Sequence, residues 1–350
     1  MTYRAAIVGA GAPVAKTNQN LEGFSIGQAH ANAYAVHPDT TLTAVADIQI
    51  QNAEALAAQN QNATAYGSLG DLLAHEQIDV LSICTWPTLH HQMVLQAIGS
   101  GVQTILCEKP MAVSLNEIDE MVRAASDAGV RLFVNHQRRF EQPYRGAKQL
   151  IDDGHLGTIL RIEGFVGGGW DLMSWGSHWV DMACHLLNDP PASWLFAAAQ
   201  QSGKTRYGHL VEDEMLLQIG FPNDALVLIR SSSHLSGAGL IVTGTDGVMR
   251  LAPNSANLVL RDGDENDLVR TYLIQQDKAN TSSYNYTDAF IDSVHEILHA
   301  TRAEVPSVID ADRGHATTEL LLGAYQSANT RSLLTLPLID RTTTLRVPSA

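Results

Sequence analysis

The sequence predicts an α/β protein in two parts: an N-terminal part built on a doubly wound parallel sheet, and a C-terminal α+β part with a large, mostly antiparallel open sheet. Three observations carry this. The 350 residues suggest two domains at about 150 residues each. Up to about residue 135, short continuous apolar runs alternate with helical patterns, as in strands buried on both faces with crossover helices between them. Beyond that point, strand-like runs follow one another without helices, which suits antiparallel hairpins.

The first set of runs is Ala5–Val8, Leu42–Ala46, Val80–Cys84, Thr104–Cys107 and Leu132–Val134. Each is closed by polar residues, Gly or Pro, so each reads as a strand. After Pro110, Ser114 and Glu117 have capping-box spacing. Leu115, Ile118, Val122 and Ala125 then form one apolar helix face, and Gly129 suits its stop. From Gln137 the pattern changes. Tyr144–Asp152 reads as a helix and Ile159–Val166 as a strand; the cluster Gly167–Gly169 then precedes a helix over Ser177–Leu187. Further strands are expected at Met215–Ile219, Leu226–Ile229, Leu240–Thr243, Asn257–Leu260 and Leu268–Ile274. Asp246-Gly247 is a hairpin turn signal. Thr287–His299, with Phe290, Val294 and Leu298 on one face, and Ala311–Ser327 close the chain as helices. The expected domains are therefore 1–136 and 137–350.

Lys plus Arg number 22 and Asp plus Glu 37, a formal net charge of −15. Nucleic acid and anionic membranes both require a basic face, so neither is expected as a partner. No apolar run approaches the roughly 20 residues of a membrane span. The opening residues read as strand from the fourth onward, leaving no room for an export signal. Cys84, Cys107 and Cys184 are odd in number and far apart, which excludes a disulfide framework or a Cys-rich zinc site. A cytoplasmic protein is expected.

The first strand ends in Gly9-Ala10-Gly11. Such a glycine pair lets the backbone turn tightly and approach a pyrophosphate. A stretch from Ala12 to Ser25 separates it from Ile26-Gly27, where a helix should start and favour a phosphate through its free N–H groups and dipole. Asp47 ends the second strand. It can bind both ribose hydroxyls of adenosine or cap the next helix, and the two roles are compatible. No Arg or Lys follows within Ile48–Asn52 to hold a 2′-phosphate, which favours NAD over NADP. These features predict a Rossmann dinucleotide-binding domain.

Thr85-Trp86-Pro87-Thr88-Leu89-His90, then Ala97, Gly101 and Cys107-Glu108-Lys109-Pro110, resemble the glucose–fructose oxidoreductase/inositol dehydrogenase/MocA family. So do Asn135-His136-Gln137-Arg138-Arg139-Phe140 with Pro143, Gly176-Ser177-His178-Trp179-Val180-Asp181, and Asp312-Arg313 with Leu320–Ala328. The resemblance runs from residue 4 to about 338. It implies NAD(P)-dependent oxidation of a hydroxyl, or the reverse reduction, on a sugar, polyol or related ring. It also implies homodimers or homotetramers that pair the faces of the C-terminal sheet. Two departures stand out: the Ala12–Ser25 insert, and Ser174 where many members have Asp, with Asp171 three residues earlier as a candidate replacement.

Oxidising an alcohol requires removal of a hydride from carbon and of a proton from oxygen. His178, near a helix start, is a natural proton acceptor. Lys109 follows the carboxyl end of a strand, where ligands bind in open α/β sheets, and its ammonium can favour the alkoxide-like state. Family practice supports both assignments. Thr85, Trp86 and Pro87 should lie by the nicotinamide half of the cofactor, with Trp86 either packing on it or serving as a core-edge aromatic. His90 is expected to cap or pack nearby, Glu108 to contact the nicotinamide ribose, and Pro110 to follow a cis peptide. Trp170, Asp171, Ser174 and Trp175 are candidate substrate contacts, the aromatic faces with a carboxylate suiting a sugar ring. Arg138 and Arg139 either bind substrate or pair with acidic neighbours. Asp181 is a further substrate-site candidate or an orienter of its neighbours. His178, Asp181 and His185 can share one helix face, but three ligands on one helix is poor zinc grammar, so no metal is expected. Two rival readings share the fold: a glycosidase-like enzyme using transient sugar oxidation, and a non-catalytic dinucleotide-binding regulator.

Overall fold

A computed structural model describes residues 2–12, 26–60, 63–252, 255–260, 270–275 and 286–345. In chain order the elements begin β1 (Tyr3–Val8), α1 (Ile26–Val36), β2 (Thr40–Ala46), α2 (Ile50–Gln59), β3 (Thr64–Tyr66), α3 (Leu69–His75), β4 (Val80–Ile83), α4 (Pro87–Gly99), β5 (Thr104–Glu108), α5 (Leu115–Ala128) and β6 (Arg131–Asn135). They continue with α6 (Gln142–Asp152), β7 (Ile159–Val166), α7 (Ser177–Leu186), β8 (Trp194–Gln200), β9 (Thr205–Arg206), β10 (His209–Leu210), β11 (Glu214–Gly220) and β12 (Leu226–Ser232). Then follow β13 (Ala238–Gly244), β14 (Gly247–Ala252), β15 (Ser255–Leu260), β16 (Arg270–Gln275), α8 (Tyr286–Ala303), α9 (Ala311–Thr330) and β17 (Leu334–Thr335). The expected strand over Leu268–Ile274 begins outside the described residues, as do residues 13–25 of the insert.

The chain forms two compact units. The first comprises residues 1–112, 117–137 and 285–315, the second residues 113–116, 138–284 and 316–350. In the first, six parallel strands run in the order β3-β2-β1-β4-β5-β6. The reversal of order about β1 and β4 makes a switch point, and ligands bind there beyond the strands' carboxyl ends. Every residue of β4 and β5 is buried, which explains why these strands read as unbroken apolar runs. Pro87 starts α4 and Ser68 caps α3, its hydroxyl accepting from Asp71 N at 3.0 Å, both common helix-start chemistry. Helix α8 also belongs to this unit. It packs on α1, with the Phe290 ring edge-on to His30 at 5.1 Å between centroids.

In the second unit, nine strands run β16-β15-β14-β13-β7-β12-β11-β8-β17. Only the β7–β12 pair is parallel; the others are antiparallel. Alternation sets the faces: Met215, Leu217 and Ile219 of β11 and Val227 and Ile229 of β12 are buried, while Leu216 and Arg230 are exposed. Helix α7 lies on the buried face, where a Cβ at Gly164 would come within 2.6 Å of Ile229 and 2.8 Å of Leu240. The Asp246-Gly247 signal does join β13 to β14, yet neither residue adopts positive φ. The turn is tied instead to the chain before β7, through Thr245 N to Thr158 O at 3.0 Å and Asp246 N to Leu156 O at 3.1 Å.

Candidate active site

The nucleotide-binding features assemble at the carboxyl end of β1. Gly9 has φ +93°, and a Cβ there would lie 2.7 Å from the Cys84 backbone. A Cβ on Gly27 would lie 2.6 Å from Gly9 O. Only glycine lets the start of α1 seat directly on the turn. Asp47 Oδ2 accepts from Gly11 N at 3.0 Å, and Oδ1 accepts from Gln49 N at 2.9 Å. Asp47 thus ties the glycine turn to the β2–α2 turn, and its remaining lone pairs suit ribose hydroxyls. Ile26 opens α1. These residues fit a dinucleotide: a side-chain-free cradle at a helix start beside an acid, with no basic residue among 48–52.

Further along the sheet, Trp86 stands at the N-cap position of α4 and is 57% exposed. A core-edge indole would not be left so far in solvent, so the exposed ring suits cofactor packing. The Thr85 hydroxyl contacts Met93 Sδ at 3.4 Å. His90 is fully buried, and its ring spans two carbonyls: Nε2 is 3.0 Å from Thr85 O and Nδ1 is 3.1 Å from Pro110 O. It therefore joins the β4–α4 turn to the turn carrying Lys109. The Lys109–Pro110 peptide is cis, as expected.

Glu108, expected at the nicotinamide ribose, is 5% exposed, and its carboxylate is engaged within the unit. Oε1 lies 2.9 Å from His30 Nε2 and accepts from Asn135 Nδ2 at 2.7 Å, while Oε2 accepts from Lys109 N at 3.2 Å. His30 Nδ1 lies 2.8 Å from the Ser82 hydroxyl, which lies 2.7 Å from the Tyr34 hydroxyl. One tautomer satisfies the whole chain: Tyr34 donates to Ser82, Ser82 to His30, and His30 to Glu108. Burial pushes the Glu108 carboxyl up, but His30, Asn135 and Lys109 outweigh it and hold the group below its ordinary value. Glu108 thus anchors the backbone of the lysine it precedes. His30 lies four residues ahead of Tyr34 on α1, and the i, i+4 spacing of two polar rings on an alanine-rich helix is the local signal of this anchoring role.

Burial pushes the His90 imidazole down, against the opposing pull of its carbonyl partners and Glu108. Its unfolded value is about 6.5. Between that value and the depressed folded one, the unfolded chain binds more protons, so stability falls as pH drops below about 6.5. The His90→Gln variant is expected to be less stable near neutrality and to lose part of this slope. Urea denaturation at a series of pH values checks it; an unchanged slope would contradict the assignment.

In the second unit, Asp171 caps a π-turn, Leu172–Gly176, that leads into α7. Its Oδ1 accepts from Ser174 N at 2.9 Å, its Oδ2 accepts from the Ser174 hydroxyl at 2.7 Å, and Arg206 Nε lies 2.9 Å away. Asp171 and Ser174 therefore act side by side. His178 is the second residue of α7 and meets the Trp175 ring edge-on at 6.0 Å; Trp175 in turn neighbours Trp170 at 5.9 Å. Arg138 lies over Trp175 at 4.9 Å and Trp179 at 5.3 Å and donates to Glu141 at 3.1 Å. Asp181, read from sequence as a substrate-site candidate or an orienter of its neighbours, is 1% exposed and accepts from Arg139 Nη2 at 2.7 Å and Thr317 at 3.3 Å. His185 also faces Arg139, at 3.4 Å.

Sequence reasoning missed Glu212. Its buried carboxylate accepts from Leu172 N and from the Ser231 hydroxyl, each at 2.6 Å, and from the Tyr325 hydroxyl. Burial and the Asp171 charge push this carboxyl up. It fixes the start of the π-turn from three separate elements, which no local pattern announces.

Two family models match the chain: the oxidoreductase family with an NAD-binding Rossmann fold over residues 4–136, and the GFO/IDH/MocA C-terminal domain over residues 144–250. The D-glucoside 3-dehydrogenase of Escherichia coli K12 is 26% identical, with 93% of this chain and 95% of that protein covered. The myo-inositol 2-dehydrogenase of Thermotoga maritima is 22% identical over 85% of this chain and 91% of its own. Among solved structures, levoglucosan dehydrogenase in complex with NADH and levoglucosan superposes with TM-score 0.81 at 19% identity, covering 96% of this chain and 100% of that one. The split glycine turn and the Glu108-Lys109-Pro110 turn lie within the first match, and the π-turn with His178 lies within the second. The chain belongs to the GFO/IDH/MocA oxidoreductase family, whose N-terminal domain is an NAD-binding Rossmann fold.

Proposed function

We propose that this oxidoreductase moves a hydride between NAD and a hydroxyl or carbonyl carbon of a sugar, polyol or related carbohydrate. The observation that carries the reading is the Lys109 turn. In an NAD-binding domain, Lys109 directly follows the carboxyl end of β5, and His90 and Glu108 hold the backbone of its turn. The carbohydrate class comes from the relatives, named for glucoside and inositol substrates, and from the Trp170–Trp175 pair, whose faces suit a sugar ring. When bound, NAD accepts the hydride that leaves carbon. Lys109 donates a hydrogen bond to the reacting oxygen and stabilises its developing negative charge. His178 takes the hydroxyl proton in the oxidising direction and returns it in the reducing one. Gly9, Gly11, Ile26 and Gly27 hold the pyrophosphate, Asp47 the adenosine ribose, and Thr85, Trp86, Pro87 and His90 the nicotinamide side. Trp170, Asp171, Ser174, Trp175 and Arg138 shape the substrate side. In this reading residues 1–136 carry the cofactor site, with residues 285–315 completing their compact unit, and the rest of 137–350 carries the substrate and oligomerisation site.

A cofactor-absorbance screen with NAD and NADP against monosaccharides, anhydrosugars, inositols and sugar acids tests the proposal. Turnover with NAD on some member of the set is expected; none on any of them would refute it. The Asp47→Ser variant is expected to lower the ratio of NAD to NADP affinity by about tenfold, the worth of a charged hydrogen bond. Fluorescence titration with each cofactor reads the ratio, and an unchanged ratio removes Asp47 from the ribose site.

The outer face of the nine-stranded sheet leaves Leu216 and Arg230 exposed opposite each other in register. That face is the proposed contact of a homodimer or homotetramer, and light scattering should return two or four times the mass of one chain. No helix among the described residues is long and apolar enough to cross a membrane. The free cysteines suit a reducing cytoplasm.

A further inference from the structure

The turn Gly167–Gly169, between β7 and the π-turn, presents one backbone carbonyl to two cations. Lys204 Nζ donates to Gly169 O at 2.5 Å, and Arg206 Nη2 donates to the same oxygen at 3.1 Å. Both cations come from the β9–β10 hairpin and its approach. The Arg206 guanidinium lies over Trp170, with Cζ 4.2 Å from the ring centroid. Asp171 faces Arg206 Nε alone. One carboxylate and one neutral carbonyl therefore serve two cations, in a chain whose overall balance is −15. Among the described residues, Lys204 has that carbonyl as its single acceptor, and Arg206 Nη1 has none. The donors left over are the remaining N–H groups of the ammonium and both N–H groups of Arg206 Nη1, beside the Trp170 indole.

The geometry points to Lys204 and Arg206 as an anion subsite that takes a substrate carboxylate. The inference rests on the proposed carbohydrate oxidoreductase activity and narrows its substrate to acidic sugars. These donors are enough to meet both oxygens of a carboxylate, and the phosphate arm of the test below separates that anion from a phosphate. The aromatic path sets where the carboxylate sits on the substrate. From His178 the rings run through Trp175 to Trp170 and end at Arg206. A sugar ring lying along Trp175 and Trp170, with its reacting hydroxyl at His178, carries its far substituent to the cation pair. The substrate class is thus a uronic acid or uronoside, oxidised or reduced at a carbon remote from the carboxylate.

The test uses the full chain saturated with NADH and matched pairs of neutral hexosides and hexuronosides, titrated calorimetrically, with the hexoside 6-phosphates as a third arm. A uronoside is expected to bind about tenfold or more tighter than its neutral partner, and added salt is expected to narrow that ratio. In Lys204→Met the ratio should collapse towards one. Lys204 is half-buried on a surface hairpin, and the salt dependence of the unsubstituted protein gives a second reading if the variant does not fold. Equal binding of neutral and acidic partners, an unchanged ratio in Lys204→Met, or tighter binding of the phosphate than the carboxylate would each overturn the assignment. Binding of neutral hexosides alone would overturn it while leaving the oxidoreductase reading intact. Binding of NADH with no sugar of any kind would overturn both.

Discussion

Replacing Lys109 by alanine is expected to lower turnover by about 10²–10³-fold, the usual cost of removing one hydrogen-bond donor from a developing oxyanion. The fold and NAD binding should survive, because the turn is held by groups other than the lysine side chain. His90 reaches the Pro110 carbonyl at 3.1 Å, and Glu108 accepts from the Lys109 backbone N–H at 3.2 Å. Both contacts remain in the variant. Circular dichroism and fluorescence titration with NAD check the first half of the expectation, and steady-state rates the second. Turnover equal to that of the unsubstituted protein would remove Lys109 from the chemistry. Loss of folding would show instead that the side chain belongs to the scaffold. Replacing His178 should change the shape of the pH–rate profile as well as its height, since the group proposed to take the proton is then absent.

The Arg139→Met variant is expected to lose about 3–5 kcal/mol of stability, the cost of stranding a buried ion's partners. The Arg139 side chain is 1% exposed and donates to Asp181 at 2.7 Å and to Asp189 at 2.8 Å. Burial pushes the Asp189 carboxyl up, but His185 and Arg139 outweigh it and hold the group well below its ordinary value. An acid with a depressed folded value contributes stability above its unfolded value of about 4, and that stability is lost as pH falls through the folded value. The variant should therefore be less stable at pH 7 and show a shallower loss in acid. Arg139→Lys should fall between the two proteins, because a single ammonium does not reproduce a planar fork that spans two carboxylates. Denaturant midpoints at neutral and acid pH read all three proteins. A midpoint for Arg139→Met equal to that of the unsubstituted protein would contradict the estimate.

The parallel sheet was legible because its strands are buried on both faces, so Val80–Cys84 and Thr104–Cys107 stand out as apolar runs. Strand β3, Thr-Ala-Tyr, is only three residues long and half exposed, and it gave no pattern to read. Strand β8 passed unnoticed because Ala197, Ala198 and Ala199 dilute its alternation. At the site, the residues proposed to approach ligands were legible: glycines that lack room for a Cβ, an acid at a strand end, and a lysine before proline. The groups that hold them in place were not. His30, Asn135 and Glu212 lie far along the chain from the residues they fix, and a buried hydrogen bond between distant elements leaves no local spacing behind.

Helix α8 rejoins the first unit only after residues 138–284, about two-fifths of the polypeptide, have passed through the second. It supplies Phe290, 1% exposed, against the ring of His30. During synthesis on the ribosome, the cofactor-binding sheet therefore emerges first but lacks this cover until its last stretch is translated. The intervening segment must gather its own strands while the earlier apolar surface of α1 waits, making that surface a natural place for a chaperone to hold the nascent chain.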